Sequence, residues 1–512
     1  MSTVKSTSSV KKSYFFSILN LLFPIKREDA KKVCILFCLF FLVSFVYNIL
    51  QPLKKTIIMY SPGAGSEALP YLKPFAVAPG AFLVTWYFLS LARRFNRDAV
   101  FRIIILTFTT YFLLYTFILI PFRDYLTLDS TADFMMKVLP SHFHAGPALI
   151  RYWMHTLFYA FAELWGTTVL TLLLWGLVNE ISTHTQAKAT YALFTVGANF
   201  SGMFAGKISS YLTKLPYNPH FFYGHNQWDQ AFLRIMLVVL AVCSSILILY
   251  AYFVHCGYTA AVAHNPRKQT AEGQGEQHVS IVDCFYQVMR SKNLLYLTII
   301  VMGYNLVYNL SDVIFNKRVE LSFGPENKVG SNDFLSMVLT YTSIVSTVFA
   351  LLISNISLRY AGWTVTALMT PIVYILSGSF FYLAQLNGLH GLFPVMPLDL
   401  IALYAGAAHM CLTRGAKYSV FDSTKEMAYI GLTKAERVNG KAAIDGIASR
   451  FGKSGGSFIL FFLYAILGNN IVLTIPYVFF IICIITILWM IAITNLGRHQ
   501  TSQAIEAHNK SC

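Results

Sequence analysis

The sequence predicts an all-α polytopic membrane protein, with twelve transmembrane helices in two halves of six. Three observations carry that prediction: composition, a series of apolar runs of spanning length, and a faint internal repeat. The 512-residue chain is 56% hydrophobic and only 12% charged, about half the roughly 25% charged fraction of a soluble domain. Its mean hydropathy is +0.56, and it contains 42 Phe and 30 Tyr. A soluble enzyme, a nucleic-acid binder and a disordered scaffold are all disfavoured on these grounds.

The elements follow in order. Residues 1–32 form an N-terminal segment whose short apolar run is interrupted by polar residues and lacks a small-residue cleavage site; it reads as an amphipathic lead-in at the membrane surface. Crossing about 30 Å of hydrocarbon takes roughly 20 apolar residues in a helix, because unsatisfied backbone groups are costly there. Such runs fall at 33–50, 75–92, 100–121, 152–178, 189–212 and 232–255, giving an N-terminal six-helix bundle over 33–255. A polar linker, 256–293, follows; its middle is rich in Gly, Gln and Glu, and the part from Val279 reads as a surface helix. Six further runs at 294–315, 334–354, 363–385, 396–412, 441–467 and 471–496 give a C-terminal bundle over 294–496, with a tail at 497–512.

An even number of spans puts both termini on one side. Lys and Arg are retained in the cytoplasm, and the segments on the side of residues 1–32 hold 25 of them against 12 opposite. Both termini are therefore expected to be cytoplasmic. The net charge of +16 belongs to those loops and to an anionic substrate; too little soluble surface remains for a face that tracks nucleic acid.

Self-comparison shows the repeat. Val46-Tyr47-Asn48-Ile49 and Val307-Tyr308-Asn309-Leu310 are offset by 261 positions, and each precedes a basic pair. The basic loop after the second span, Arg93-Arg94, is echoed by Arg359 after the eighth. Lys188-Ala189 with Gly197 is echoed by Lys441-Ala442 with Gly452. Three matches in one order fit the parallel 6+6 repeat by which many secondary transporters place a site between two bundles that rock. With a basic loop after the second span of each half, this is a major facilitator-like arrangement.

Charges inside spans are costly and mark wet cavities or partners. Four clusters qualify: Lys54-Lys55 at the end of span one; Glu163 within span four, preceded by Arg151 and His155; Asp312 with Lys317 and Arg318 ending span seven; and Arg414, Lys417, Asp422, Lys425 and Glu426, continuing into Lys441, Asp445, Arg450 and Lys453. Each has two readings. Glu163 is a structural ion pair, or a substrate or proton site. Lys54 and Lys55 snorkel to the interface or face the cavity. Asp312 neutralises a basic helix end or works in the site. Lys417 and Lys425 are eight residues apart, close to two helical turns, so both can face one cavity. His155 reads as a satisfied core histidine.

Cations outnumber carboxylates at these positions, which fits a multiply charged anion such as a phosphate ester. Gly446 to Ser454 resembles a phosphate-cradling loop, but it has five residues between its glycines where that motif needs four, and no strand precedes it. Gly452, Gly455 and Gly456 instead suit close helix packing. The eight cysteines form no metal-ligand spacing and read as small core residues. No cofactor and no metal site are expected.

The chain also resembles a known family, the nucleotide transporters of obligate intracellular bacteria and plastids (ATP/ADP translocases). The resemblance runs from about Ile25 to Leu496. It rests on Pro62-Gly63-Ala64-Gly65-Ser66-Glu67-Ala68 with Pro70-Tyr71-Leu72-Lys73, on Ala162-Glu163-Leu164-Trp165-Gly166, on Ala416 to Asp422 with Lys425 to Tyr429, and on Gly440 to Asp445 with Phe451 to Gly456. It implies uptake of host ATP in exchange for ADP across a bacterial inner membrane, with proton-coupled nucleoside triphosphate uptake and NAD/ADP exchange as alternatives. It implies functional charges at Lys54, Glu163 and Lys417 or Lys425. Family members carry Arg and Asp where this chain has Gln51 and Lys55, and Glu where it has Asp312.

The resulting expectation is a monomeric carrier in a lipid bilayer, with no nucleic-acid partner and no enzymatic activity. Lys54, Lys417, Lys425, Arg450 and Lys453 bind substrate phosphates, and Glu163 and Asp312 pair with lysines when the site is empty. A membrane-embedded enzyme acting on a phosphate-bearing substrate is the rival from another class. It would need paired carboxylates or metal ligands at a wet mouth, and no such set stands out.

Overall fold

The computed structural model describes residues 29–140, 143–181, 184–258, 289–386, 397–429, 440, 444, 448–468 and 471–511. Most of the N-terminal segment and of the linker, together with Lys441 and Asp445, lies outside the described residues. Among the described residues every regular element is helical.

Among the described residues a long helix overlaps each expected span, with several bounds shifted. The first half contains α1 (Ala30–Met59), α2 (Ser66–Arg94), α3 (Arg97–Leu119), α4 (Trp153–Ile181), α5 (His184–Lys214) and α6 (Gln227–His255). The second contains α7 (Lys292–Phe323), α8 (Lys328–Ile353), α9 (Gly362–Gln385), α10 (Leu398–Ala416), α11 (Ser449–Leu467) and α12 (Ile471–Ser511). Nine helices among the described residues are long and apolar enough to cross a membrane on length and composition alone. The helices α5, α10 and α11 are the more polar ones, and α10 and α11 carry cations of the central cluster.

Two boundaries differ from the sequence reading for a physical reason. Pro52 and the Lys54-Lys55 pair suggested that span one stops near residue 50, yet α1 continues through them to Met59. Neighbouring helices can satisfy the backbone groups a proline frees inside a membrane bundle, and carboxylates from two other helices meet the two lysines. Likewise α7 runs past Asp312, Lys317 and Arg318 to Phe323.

The repeat is visible as paired contacts. Asn48 on α1 donates to Ser201 on α5 at 3.1 Å, and Asn309 on α7 donates to Ser457 on α11 at 3.1 Å. A Cβ added at Gly197 on α5 would stand 2.6 Å from the Phe37 ring of α1, and one at Gly452 on α11 would stand 2.8 Å from Asn305 of α7. The first and fifth helix of each half therefore pack closely through glycine at matching positions.

The halves join most tightly toward the end where α1 and α7 finish. There the second half's hydrophobic core takes in Ile58, Met59, Leu69 and Leu72 from the first half. Small residues bring α5 and α8 together, as they do in membranes: a Cβ at Gly206 would stand 2.5 Å from the Ser336 carbonyl oxygen. Ser336 donates to Ser209 at 2.8 Å, and Asn332 donates to Thr213 at 2.9 Å.

Candidate functional site

Successive residues on a helix point about 100° apart, so Lys54 and Lys55 reach in different directions from α1. Lys54 is 1% exposed and pairs with Glu163 of α4, within its own half. Its ammonium also lies 5.0 Å from the centroid of the Tyr159 ring. Lys55 crosses to the other half and pairs with Asp312 of α7 at 2.6 Å, both side chains being about one-tenth exposed. Arg414 of α10 stands 3.9 Å from the same carboxylate oxygen. The Arg414 Nε donates to the Tyr308 hydroxyl at 2.6 Å.

Further cations converge on this centre. Lys73 donates to the side-chain oxygen of Asn309, bridging α2 and α7. Asn309 in turn donates to the Lys453 carbonyl at 2.7 Å. The Lys453 ammonium acts on Glu163, and the charges of Lys73, Lys417 and Arg450 act on it in turn. Its side chain is nonetheless exposed. Lys417 pairs with Asp422 at 3.2 Å and lies 4.1 Å from the Tyr418 ring centroid.

Local helix geometry accompanies these placements. Lys73 opens one π-helical segment, Lys73–Val77, and Lys417 opens another, Lys417–Phe421. Three residues after Glu163, Gly166 begins a third. Such wide turns re-aim side chains and recur at functional sites. Six cations (Lys54, Lys55, Lys73, Arg414, Lys417 and Lys453) thus share the centre with three carboxylates, Glu163, Asp312 and Asp422. The surplus is positive.

The structure separates residues that the sequence grouped together. Asp312 does not neutralise the end of α7: Lys317 turns to Glu67 at 2.8 Å and Glu320 at 3.4 Å, and Arg318 to Asp399. Glu320 also accepts from the Ser66 backbone N–H at 2.7 Å, so the start of α2 and the end of α7 are tied by a second polar layer. Arg151 belongs to a peripheral cluster with Asp129 and Asp133. His155 Nδ1 bonds the Tyr115 hydroxyl at 2.8 Å. Lys425 pairs with Glu426 at 3.5 Å on Asp422–Ala428, and its charge also acts on Lys417. The Arg450 guanidinium lies 5.9 Å from the Phe82 ring centroid. Among the described residues, no group of His, Cys, Asp and Glu is arranged to hold a metal ion.

Lys73 and Arg414 are the principal members that the reading of single spans did not assign. Lys73 stands in an otherwise apolar stretch, a signal that was present. Arg414 was noticed only as part of a basic run; its pairing across to Asp312 depends on how α7 and α10 pack, which no local pattern encodes.

Solved structures share this architecture across nearly the whole chain. A bacterial homologue of the iron transporter ferroportin, in its inward-facing state, has a TM-score of 0.54 at 12% identity, covering 92% of this chain and 99% of that one. A nucleoside transporter has a TM-score of 0.54 at 11% identity, covering 91% and 99%. The fold is major facilitator-like, a multi-pass helical architecture with a charged centre between its halves. The particular family follows from sequence. The TLC ATP/ADP transporter model matches residues 8–500, and the chain belongs to that family. Its relatives include ADP,ATP carrier protein 2 of Chlamydia pneumoniae, 32% identical over 503 residues and covering 94% of this chain and 91% of the relative. They also include the chloroplastic ADP,ATP carrier protein 1 of Arabidopsis thaliana, 30% identical over 486 residues and covering 93% and 75%.

Proposed function

We propose that this protein exchanges nucleotides across a bacterial inner membrane by alternating access, taking up ATP against ADP, with both termini cytoplasmic and the site complete in one monomer. The observation that carries this reading is the surplus of cations at a centre shared by both halves, Lys54 and Lys55 held by Glu163 and Asp312. Charge-assisted hydrogen bonds to phosphate are strong, and a polyphosphate supplies the negative charge this centre lacks. Lys54, Lys417 and Lys453 hold the phosphates together with Lys73 and Arg414, while Lys425 and Arg450 line the approach.

Glu163 and Asp312 act as internal stand-ins for substrate. In the empty carrier they occupy the lysines, and Lys55–Asp312 ties α1 to α7 across the halves. An arriving polyphosphate takes over the lysines and loosens that tie. A loaded carrier then changes conformation more readily than an empty one, which is the requirement for exchange. Purified protein in liposomes loaded with ADP should accumulate labelled ATP. It should not do so in liposomes without internal nucleotide. Uptake into empty vesicles that an uncoupler abolishes would instead establish proton coupling, and counterflow with NAD alone would reassign the substrate.

A further inference from the structure

A second cavity, of about 170 Å³, lies away from the charged centre, beneath the end of α1. We propose that it is a binding site for a small, singly charged aromatic anion, and that the occupant holds the two halves together at that end.

Size and walls argue for a ring. A cavity of about 150 Å³ is enough to take benzene, and this one is walled by Tyr60, Tyr152, His155, Trp228 and Phe232. The His155 and Tyr152 rings lie nearly parallel, at 11° with centroids 5.9 Å apart. Aromatic rings pair favourably face to edge or offset, beyond the area they bury.

Charge argues for a single negative group. Of the four charged residues on the wall, Arg123 and Asp229 satisfy each other in a two-pronged pair at 2.8 and 3.2 Å. Asp229 also accepts from Asn226 at 3.2 Å and from the His225 backbone at 3.3 Å, so its oxygens are committed. The Asp124 side chain is 89% exposed, and its carboxylate stands 3.9 Å from the Arg123 Nε. That leaves Lys328: among the described residues no carboxylate stands within 4 Å of its ammonium. The cavity thus presents, beside an aromatic wall, one ammonium that no carboxylate contacts directly.

The position gives the site its consequence. Lys328 begins α8 in the second half, whereas the aromatic wall comes from the first half. An anion seated on the rings and bonded to Lys328 bridges the halves where they already touch. By linkage, a ligand that needs this arrangement favours it over any state in which the halves part there. It would therefore slow exchange without competing for the central site.

The test uses the purified full-length protein with benzoate as the probe and benzamide as its neutral counterpart. Benzoate should quench Trp fluorescence saturably, the change should vanish in Trp228→Phe, and benzamide should have little effect. Lys328→Gln should weaken benzoate binding about 10- to 100-fold, the range for loss of a hydrogen bond to a charged group, whereas Lys328→Arg should retain it. If Lys328→Gln does not fold, Phe232→Trp, which fills the cavity, must abolish binding. In liposomes benzoate should lower the maximal exchange rate, and saturating nucleotide should not restore it. Absence of saturable binding, equal binding of benzamide, unaltered binding by Lys328→Gln, or inhibition that nucleotide competes away would each overturn the proposal. The fluorescence arm does not depend on transport, so failure of the exchange reading and failure of this one are distinguishable.

Discussion

Replacing Asp312 by Asn removes one charge with almost no change of shape, and its effect can be worked from the geometry. Lys55 and Asp312 are 2.6 Å apart and about one-tenth exposed; at an effective dielectric constant near 20 their attraction is about 6 kcal/mol. Desolvation offsets part of this, and removing one partner of a buried pair typically costs about 3–5 kcal/mol, because the other charge is left uncompensated. Arg414 loses the same carboxylate. This cost falls on the empty carrier; once bound, a phosphate compensates both cations. If relaxation of the site leaves about 1.4–2.8 kcal/mol of the difference, Asp312→Asn should bind nucleotide about 10- to 100-fold more tightly. Exchange should slow because release is slower. Calorimetric titration with ADP in detergent, beside counterflow in liposomes, measures both. Unchanged or weaker binding with intact folding would refute the idea that Asp312 stands in for substrate.

Glu163→Gln leaves Lys54 with a neutral partner in a site that is 1% exposed at the lysine, and should reduce counterflow at least about tenfold while also lowering the thermal unfolding temperature of the empty protein; normal exchange would remove Glu163 from the cycle. Lys73→Met deletes a cation bridging α2 and α7 and should weaken nucleotide binding about 10- to 100-fold, read by the same titration. Glu320→Gln cuts the ties to Ser66 and Lys317; a loss of about 1–3 kcal/mol there should raise labelling of a cysteine placed at the buried Ser336 by an impermeant maleimide at least about fivefold. Labelling no faster than in the parent protein would show that this layer does not hold the halves closed.

Composition and spacing made the helices legible, because an apolar run of spanning length has few other uses. The repeat was legible at Tyr47-Asn48 and Tyr308-Asn309 because each asparagine performs the same task against a serine of the fifth helix in its half. Glu163 stood out because a carboxylate in mid-span is rare. Other features are consequences of packing. The sequence shows two lysines and a proline and suggests a helix end; only the approach of α4 and α7, each bringing a carboxylate, lets α1 continue. Asp312 sits near Lys317 and Arg318 in sequence, but a helix sends residues five and six apart to different faces, and its partners come from α1 and α10. Lys73 was visible as a lone charge, yet its bond to Asn309 depends on the contact between the halves.

On the proposed reading, the adjacency of Lys54 and Lys55 gives α1 a coupling role that neither lysine has alone. Lys54 binds it to its own half through Glu163 and Lys55 binds it to the other through Asp312, so a polyphosphate that engages both ammonium groups competes with an internal and a crossing tie at once. A monophosphate brings about −1.5 to −2 of charge on a single phosphorus, whereas a chain of phosphates spreads more charge over a longer reach and, on the proposed reading, engages the two diverging ammonium groups together. On the proposed reading, preference for longer phosphate chains follows from the two ion pairs that the substrate must replace before the halves can move.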